Sequence, residues 1–423
     1  MSEPNVFDVA IIGGGPAGAA AGATLALAGK KTVIFEKERF PRFAIGESLL
    51  PHGNDLLKRI GVWEKIEKAG FLKKYGAEFC TGDRSRLQRF WFGRNLGPDH
   101  EYSYQVERAK FDELLLNHAR ECGVFVREAT RISGLYPADG SETALHWKSE
   151  KESGTSQARW VIDASGRSAF AGALLGMQKQ TTQKTKRVAI YGHFEGVFRN
   201  GGKAEGHITI VRIAGGWFWI IPLAGGITSV GLVLPSERAR TIATRGAESV
   251  FQDAVCSTPE MKVRMRNTGA VSPLRVTSDY SWKFSKFAGP RILLSGDAAG
   301  FVDPIFSSGV LIAIKSAFYA TELILKADAT GRVLTWREQR AYTRTVSGWM
   351  NHYSKIIHAF YDRAGFEVFM NPSPIFQIPS SVGRLVGGNA EPNFLDNLRL
   401  TAFFMICRLQ AALRIAPRIS SLR

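Results

Sequence analysis

Asp8-Val9-Ala10-Ile11-Ile12-Gly13-Gly14-Gly15-Pro16-Ala17-Gly18 is the stretch that decides the fold. Its first five residues form a short apolar run with β-branched side chains, the pattern of a buried parallel strand. Glycines 13, 15 and 18 then match Gly-x-Gly-x-x-Gly, and the alanine-rich run Ala19 to Ala28 predicts a helix that Gly29 is placed to end. Gly13 permits a tight turn, Gly15 lets backbone approach a pyrophosphate, and Gly18 lets helix and strand pack closely. Ala17 lies in the same first helical turn, where free N–H groups and a positive dipole favour phosphate. Thr32-Val33-Ile34-Phe35 predicts the next strand, and Glu36 at its end can accept hydrogen bonds from a ribose diol. A Gly-rich turn alone is weak, but strand, turn, helix, strand and acid in this order read as a dinucleotide-binding unit.

The rest of the chain bounds the reading. A chain of 423 residues suffices for two or three structural units. Lys and Arg number 55 against 38 Asp and Glu, a net charge of +17, which favours an acidic partner or is simply a solvated basic surface. No zinc-finger spacing or other nucleic-acid motif occurs, so no nucleic-acid partner is expected. Cys80, Cys122, Cys256 and Cys407 are widely spaced and form no Cys-x-x-Cys, so no metal site is expected. The first residues, MSEPNVFDVAII, lack the basic and apolar regions of a secretory signal, and no apolar run reaches membrane-span length. A reduced, cytoplasmic protein is the expectation.

Two later segments resemble a flavoprotein superfamily. Trp160-Val161-Ile162-Asp163-Ala164-Ser165-Gly166 is a strand running into Asp-x-x-Gly, and Ile292-Leu293-Leu294-Ser295-Gly296-Asp297 is a strand ending in Gly-Asp. With the first motif they resemble the aromatic hydroxylases, geranylgeranyl reductases and flavin-dependent halogenases. The resemblance implies an α/β fold, a Rossmann-like FAD-binding domain of the glutathione-reductase or aromatic-hydroxylase type. It implies that Asp297, with Gly296, meets the ribityl chain of FAD and that Asp163 belongs to the cofactor site. Arg108, in an Arg-x-x-Phe-Asp element with Phe111 and Asp112, is implied near the flavin. No second Gly-x-Gly-x-x-Gly follows a strand, so no separate NAD(P)H domain is expected.

Three further segments resemble the flavin-dependent halogenases: Gly46-Glu47-Ser48, the Trp-x-Trp-x-Ile-Pro run Trp217 to Pro222, and Asp303-Pro304-Ile305-Phe306-Ser307-Ser308-Gly309. Singly, each has a plain reading: a turn and cap, alternating core aromatics, a loop entering a helix. Their joint occurrence in family order carries the resemblance. It implies that reduced FAD, brought by a separate flavin reductase, works with oxygen and chloride or bromide to give hypohalous acid. Ser48 and Gly309 then belong with the cofactor, and the N–H groups of Ser308 and Gly309 hold the halide. Trp217, Trp219 and Pro222 part the flavin from the aromatic substrate.

Phenol- and pyrrole-type halogenases resemble Gly-Phe-x-x-Lys-x-Gly-Ala, which here places Lys74 of Gly70-Phe71-Leu72-Lys73-Lys74-Tyr75-Gly76-Ala77 on the family lysine that handles active halogen. Neighbours on a strand point to opposite faces, so Lys73 and Lys74 should differ in environment. Phe306 stands where tryptophan halogenases resemble Glu-Ser-Thr-Gly, which implies an already activated phenol or pyrrole. The chain length resembles pyrrole halogenases that act on rings tethered to an acidic acyl or peptidyl carrier protein, and the charge suits such a partner.

Residues 1–330 are expected to form a discontinuous FAD-binding module with an inserted substrate-side sheet at about 76–105 and 187–275. Residues 331–423 are expected to be helical, interrupted at Pro372, Pro374 and Pro379. Leu398 to Arg414 reads as a packed or membrane-surface helix. Rival readings are an FAD aromatic monooxygenase, a geranylgeranyl-reductase-like enzyme, and a flavin-binding carrier without turnover.

Overall fold

The computed structural model describes residues 6–137, 142–181, 186–279, 281–372 and 377–422, so Pro374 and the first five residues lie outside it. The opening strand, Val6–Ile12, is central to a seven-stranded sheet, parallel to Thr32–Phe35 on one side and to Ser153–Asp163 on the other. Val9, Ala10 and Ile11 are buried on both faces, which is why the run carries no polar alternation. Register aligns Ile12 with Phe35 and Asp163, and Asp163 with Leu294. The turns carrying Gly13, Glu36, Ser165 and Gly296 therefore open on one carboxyl edge, where α/β sheets bind ligands.

The helix after the glycines runs Pro16–Leu27 and packs on Arg108–Glu121 and on Gly309–Asp328. Its small residues also let it lie close on the sheet: a Cβ on Gly22 would lie 2.9 Å from Ile34 Cδ1. A second, eight-stranded sheet takes Gly76–Thr81 and Leu87–Trp91 from the first half of the chain and joins them, through Ile208–Ile213, to Gly216–Pro222, Thr228–Pro235 and Arg187–Glu195. Arg275–Asp279 extends it on the far side. Ser103–Gln105, expected in this sheet, pairs instead with Leu72–Lys74 as a separate two-stranded ribbon.

The C-terminal region is helical: Trp336–Tyr361, Arg363–Phe369, Ile378–Val386 and Phe394–Leu413. Thr335 and Glu338 close a capping box at its start. Pro379 does not interrupt a helix, as expected, but sits in the first turn of one, where its missing N–H costs nothing. Tyr342, Val346, Tyr353 and Phe360 join the same core as the first strand, so these helices pack onto the unit built on the seven-stranded sheet. Among the described residues no helix is long and apolar enough to cross a membrane.

Candidate active site

The carboxyl edge is shaped for a dinucleotide. Gly13 has φ +105°, and a Cβ there would meet the Ala164 carbonyl at 2.4 Å. A Cβ on Gly18 would lie 1.9 Å from the Gly13 oxygen, whereas Gly15 faces open space bordered by the Arg42 guanidinium. Glu36 accepts the Gly14 N–H at 2.7 Å on one oxygen and the Glu38 N–H at 2.9 Å on the other, leaving lone pairs on both for a diol. Asp163 is committed inward: its oxygens accept the N–H groups of Ser165 and Ala171 at 2.9 and 2.6 Å, so it builds the turn. Asp297 makes no side-chain hydrogen bond among the described residues; burial pushes its carboxyl up to about 6 against the pull of Arg167 and Arg108. A cradle too narrow for a Cβ, an open helix N-terminus and an unengaged acid together fit FAD.

Arg108 anchors the next layer. It forks onto Asp112 at 2.8 and 2.9 Å and donates to the Ile45 carbonyl at 2.7 Å, fixing the Gly46-Glu47-Ser48 turn. Glu47 is buried and meets His193 Nε2 at 2.6 Å, a pair sequence reading missed because 146 residues separate the partners. Ser48 Oγ is buried without a partner among the described residues, as is Ser308 Oγ.

Ser308 caps the 20-residue helix Gly309–Asp328, and Ser307 before it holds a left-handed φ of +58°. Nothing would stand within 4 Å of a Cβ on Gly309. The strained turn thus presents unpaired N–H groups to an open space, the arrangement that holds anions. Asp303 braces it by accepting the Ile305 N–H at 3.2 Å and the Tyr361 hydroxyl at 2.8 Å. Tyr361 in turn accepts Trp217 Nε1–H at 2.7 Å. Trp217 and Trp219 share one face of their strand with rings 6.0 Å apart, and Trp219 donates to Ser229 Oγ at 3.1 Å. Pro222 is buried at the end of that strand opposite Thr228. Tyr361, from the last turn of the long C-terminal helix, therefore ties the Trp217 strand to the Asp303-to-Gly309 turn. No local sequence signal marks it.

Lys74 and Lys73 part as alternation requires. Lys73 is exposed over the Tyr102 ring at 4.3 Å, while Lys74 is 1% exposed. Its ammonium donates to the Leu49 carbonyl at 2.9 Å and lies 5.2 Å from the Phe92 ring centre. It has no carboxylate partner among the described residues, and burial pushes it down to about 7. Leu49 directly follows Ser48. A cavity of about 10 Å³ lined by Leu49, Leu50, Asn54, Val310 and Leu311 lies between this loop and the helix Gly309–Asp328, about room for one water. Among the described residues no cluster of His, Cys, Asp or Glu could hold a metal ion, and all four cysteines are free.

Comparison with known proteins agrees with this geometry. The family described as FAD binding domain matches residues 6–334. A 1H-pyrrole-2-carbonyl-[peptidyl-carrier protein] chlorinase of Pseudomonas fluorescens is 34% identical over 343 residues, 76% of each chain. A tryptophan 2-halogenase of Chondromyces crocatus is 32% identical over 86% of this chain and 69% of its own. The structure of the myxobacterial chondrochloren halogenase CndH superposes with a TM-score of 0.80 at 28% identity, covering 99% of both chains. The family match covers most of the chain, the two relatives align over more than two thirds of their own length, and the chain therefore belongs to the flavin-dependent halogenases of the FAD-binding family.

Proposed function

We propose that this enzyme holds hypohalous acid at Lys74 and passes its halogen to an electron-rich ring of the phenol or pyrrole class. Bound reduced FAD, with oxygen, supplies the oxidising equivalents that turn halide into hypohalous acid. Gly13, Gly15, Gly18, Glu36 and Asp297 are the residues to hold the cofactor, with Arg108 stabilising the turn at its edge. The Ser308 and Gly309 N–H groups hold chloride or bromide. Trp217 and Trp219, fixed by Tyr361 and Ser229, keep the ring to be halogenated away from the cofactor.

The observation that carries this reading is Lys74 itself. A lysine buried without a counter-ion destabilises the fold, and such cost is characteristic of functional sites. At neutral pH it is divided between ammonium, which can donate a hydrogen bond to hypohalous acid, and amine, which can accept halogen. A separate flavin reductase delivers the reduced cofactor. The pyrrole-carrier chlorinase among the relatives and the net charge of +17 support a ring tethered to an acidic carrier protein. The free cysteines suit the reducing cytoplasm.

Phe306, which cannot accept a proton, argues for a ring that needs no activation. The tryptophan 2-halogenase among the relatives makes indole the second ring class to test. The test supplies FAD, NADH, a flavin reductase, oxygen and bromide with a panel of phenol, pyrrole-2-carboxamide and tryptophan. Halide-dependent brominated phenol or pyrrole supports the reading. Hydroxylation without halide, or bromination of tryptophan alone, overturns it.

A further inference from the structure

The helix Phe394–Leu413 is seated on the protein by one face and bare on the other. On the inner face Leu400, Phe403 and Cys407 are buried. The polar groups there are satisfied: Asp396 accepts the Ser381 hydroxyl at 2.7 Å and the Arg384 guanidinium, and Gln410 donates to Glu367 at 2.9 Å. Asn393 caps the start by accepting the Asp396 N–H at 2.8 Å. The helix is therefore fixed in place, and its outer face is a defined surface of the molecule.

That outer face carries apolar side chains where a solvated helix carries charge. Phe394, Leu398, Met405, Leu409 and Leu413 stand at spacings of four and seven, so they form one stripe along the helix. Each is between 43% and 86% exposed, and Ile415 just past the end is 53% exposed. Single exposed apolar residues are ordinary, but a contiguous row of them marks an interaction surface.

The charges around the stripe say what kind of partner fits. Arg408 borders it, Arg414 and Arg418 follow it, and all three are exposed with no carboxylate partner among the described residues. Asp396 is the only acid from 393 to 422, and it is buried. A second copy of the chain would bring this basic face against itself with no acid to answer it. A lipid surface with anionic headgroups answers both features: the acyl region takes the apolar stripe and the headgroups take the arginines. Among the described residues no helix is long and apolar enough to cross a membrane, so this one would lie in the plane of the surface.

We infer that the outer face of Phe394–Leu413, with Arg408, Arg414 and Arg418, seats the enzyme on an anionic lipid surface. The inference is independent of the chemistry at Lys74. It also joins the two sequence readings of this segment, since the helix is packed on one face and faces lipid on the other.

The test is co-sedimentation of FAD-loaded enzyme with vesicles of phosphatidylcholine alone or mixed with phosphatidylglycerol, at low and high salt. Wild type should bind the mixed vesicles about tenfold or more tighter than the neutral ones, and high salt should remove most of that difference. The triple variant Leu398→Gln, Met405→Gln, Leu409→Gln should lose binding about tenfold or more while keeping FAD and the wild-type melting temperature, because all three side chains are exposed. The triple variant Arg408→Gln, Arg414→Gln, Arg418→Gln should bind both kinds of vesicle alike. Wild type that binds neither vesicle or both equally, or either variant binding as wild type does, overturns the proposal. Sedimentation velocity without vesicles should show the same mass for wild type and the apolar variant. A wild-type dimer that the apolar variant dissolves would assign the face to a second copy and overturn the proposal as well.

Discussion

Replacing Lys74 with methionine keeps the side chain's length and removes its charge. In the unfolded chain a lysine titrates near 10.5, and in the fold burial brings Lys74 down to about 7. Between these values the unfolded chain binds more protons than the fold, so wild-type stability rises with pH across this window. At pH 7 the buried, partly charged lysine costs the fold about 4 kcal/mol, and at pH 9 about 2 kcal/mol. Methionine removes that cost and also strands the Leu49 carbonyl, a loss of about 1–3 kcal/mol that does not vary with pH. The stability of Lys74→Met relative to wild type should therefore fall by about 2 kcal/mol between pH 7 and pH 9, starting above zero at pH 7. Urea unfolding of both proteins at the two pH values, followed by fluorescence and circular dichroism, measures this. A difference independent of pH would refute the depressed lysine, and with it the idea that Lys74 changes protonation near neutrality.

Gly18→Ala should yield protein that retains no FAD on gel filtration, since its Cβ would stand 1.9 Å from the Gly13 oxygen. Tyr361→Phe removes the acceptor of Trp217 Nε1–H and the donor to Asp303, and should cost about 1–3 kcal/mol by urea unfolding. It should raise the KM for bromide several-fold without changing FAD affinity. FAD affinity should weaken up to about tenfold from pH 8 to pH 5, because Asp297, raised to about 6, loses its charge and then accepts from a ribityl hydroxyl less strongly. In Asp297→Asn that dependence, followed by flavin fluorescence, should be flat.

The parts of the fold written in local patterns were legible. The glycine turn, its flanking strands and the Gly-Asp strand all rest on residues close in sequence, and they stand where the pattern placed them. The opposite environments of Lys73 and Lys74 follow from the pleat alone. What local patterns cannot hold is partner choice. Ser103–Gln105 reads as a strand either way, and only tertiary register sends it to Leu72–Lys74. Tyr361 lies 144 residues from Trp217, beyond the segment where family motifs lie, in a helix whose apolar spacing speaks only of packing. Pro379 misled because proline breaks a helix interior yet suits a helix start, and the two differ by one turn.

The central claim is that one lysine of an adjacent pair handles the halogen. Mass detection of brominated phenol formed by Lys73→Ala and by Lys74→Ala, each loaded with FAD and supplied with reductase, NADH, oxygen and bromide, tests it most directly. The account predicts near wild-type product from Lys73→Ala and none above the enzyme-free background from Lys74→Ala, with FAD binding intact in both. Product from Lys74→Ala at the wild-type level, or its loss in Lys73→Ala instead, would contradict it.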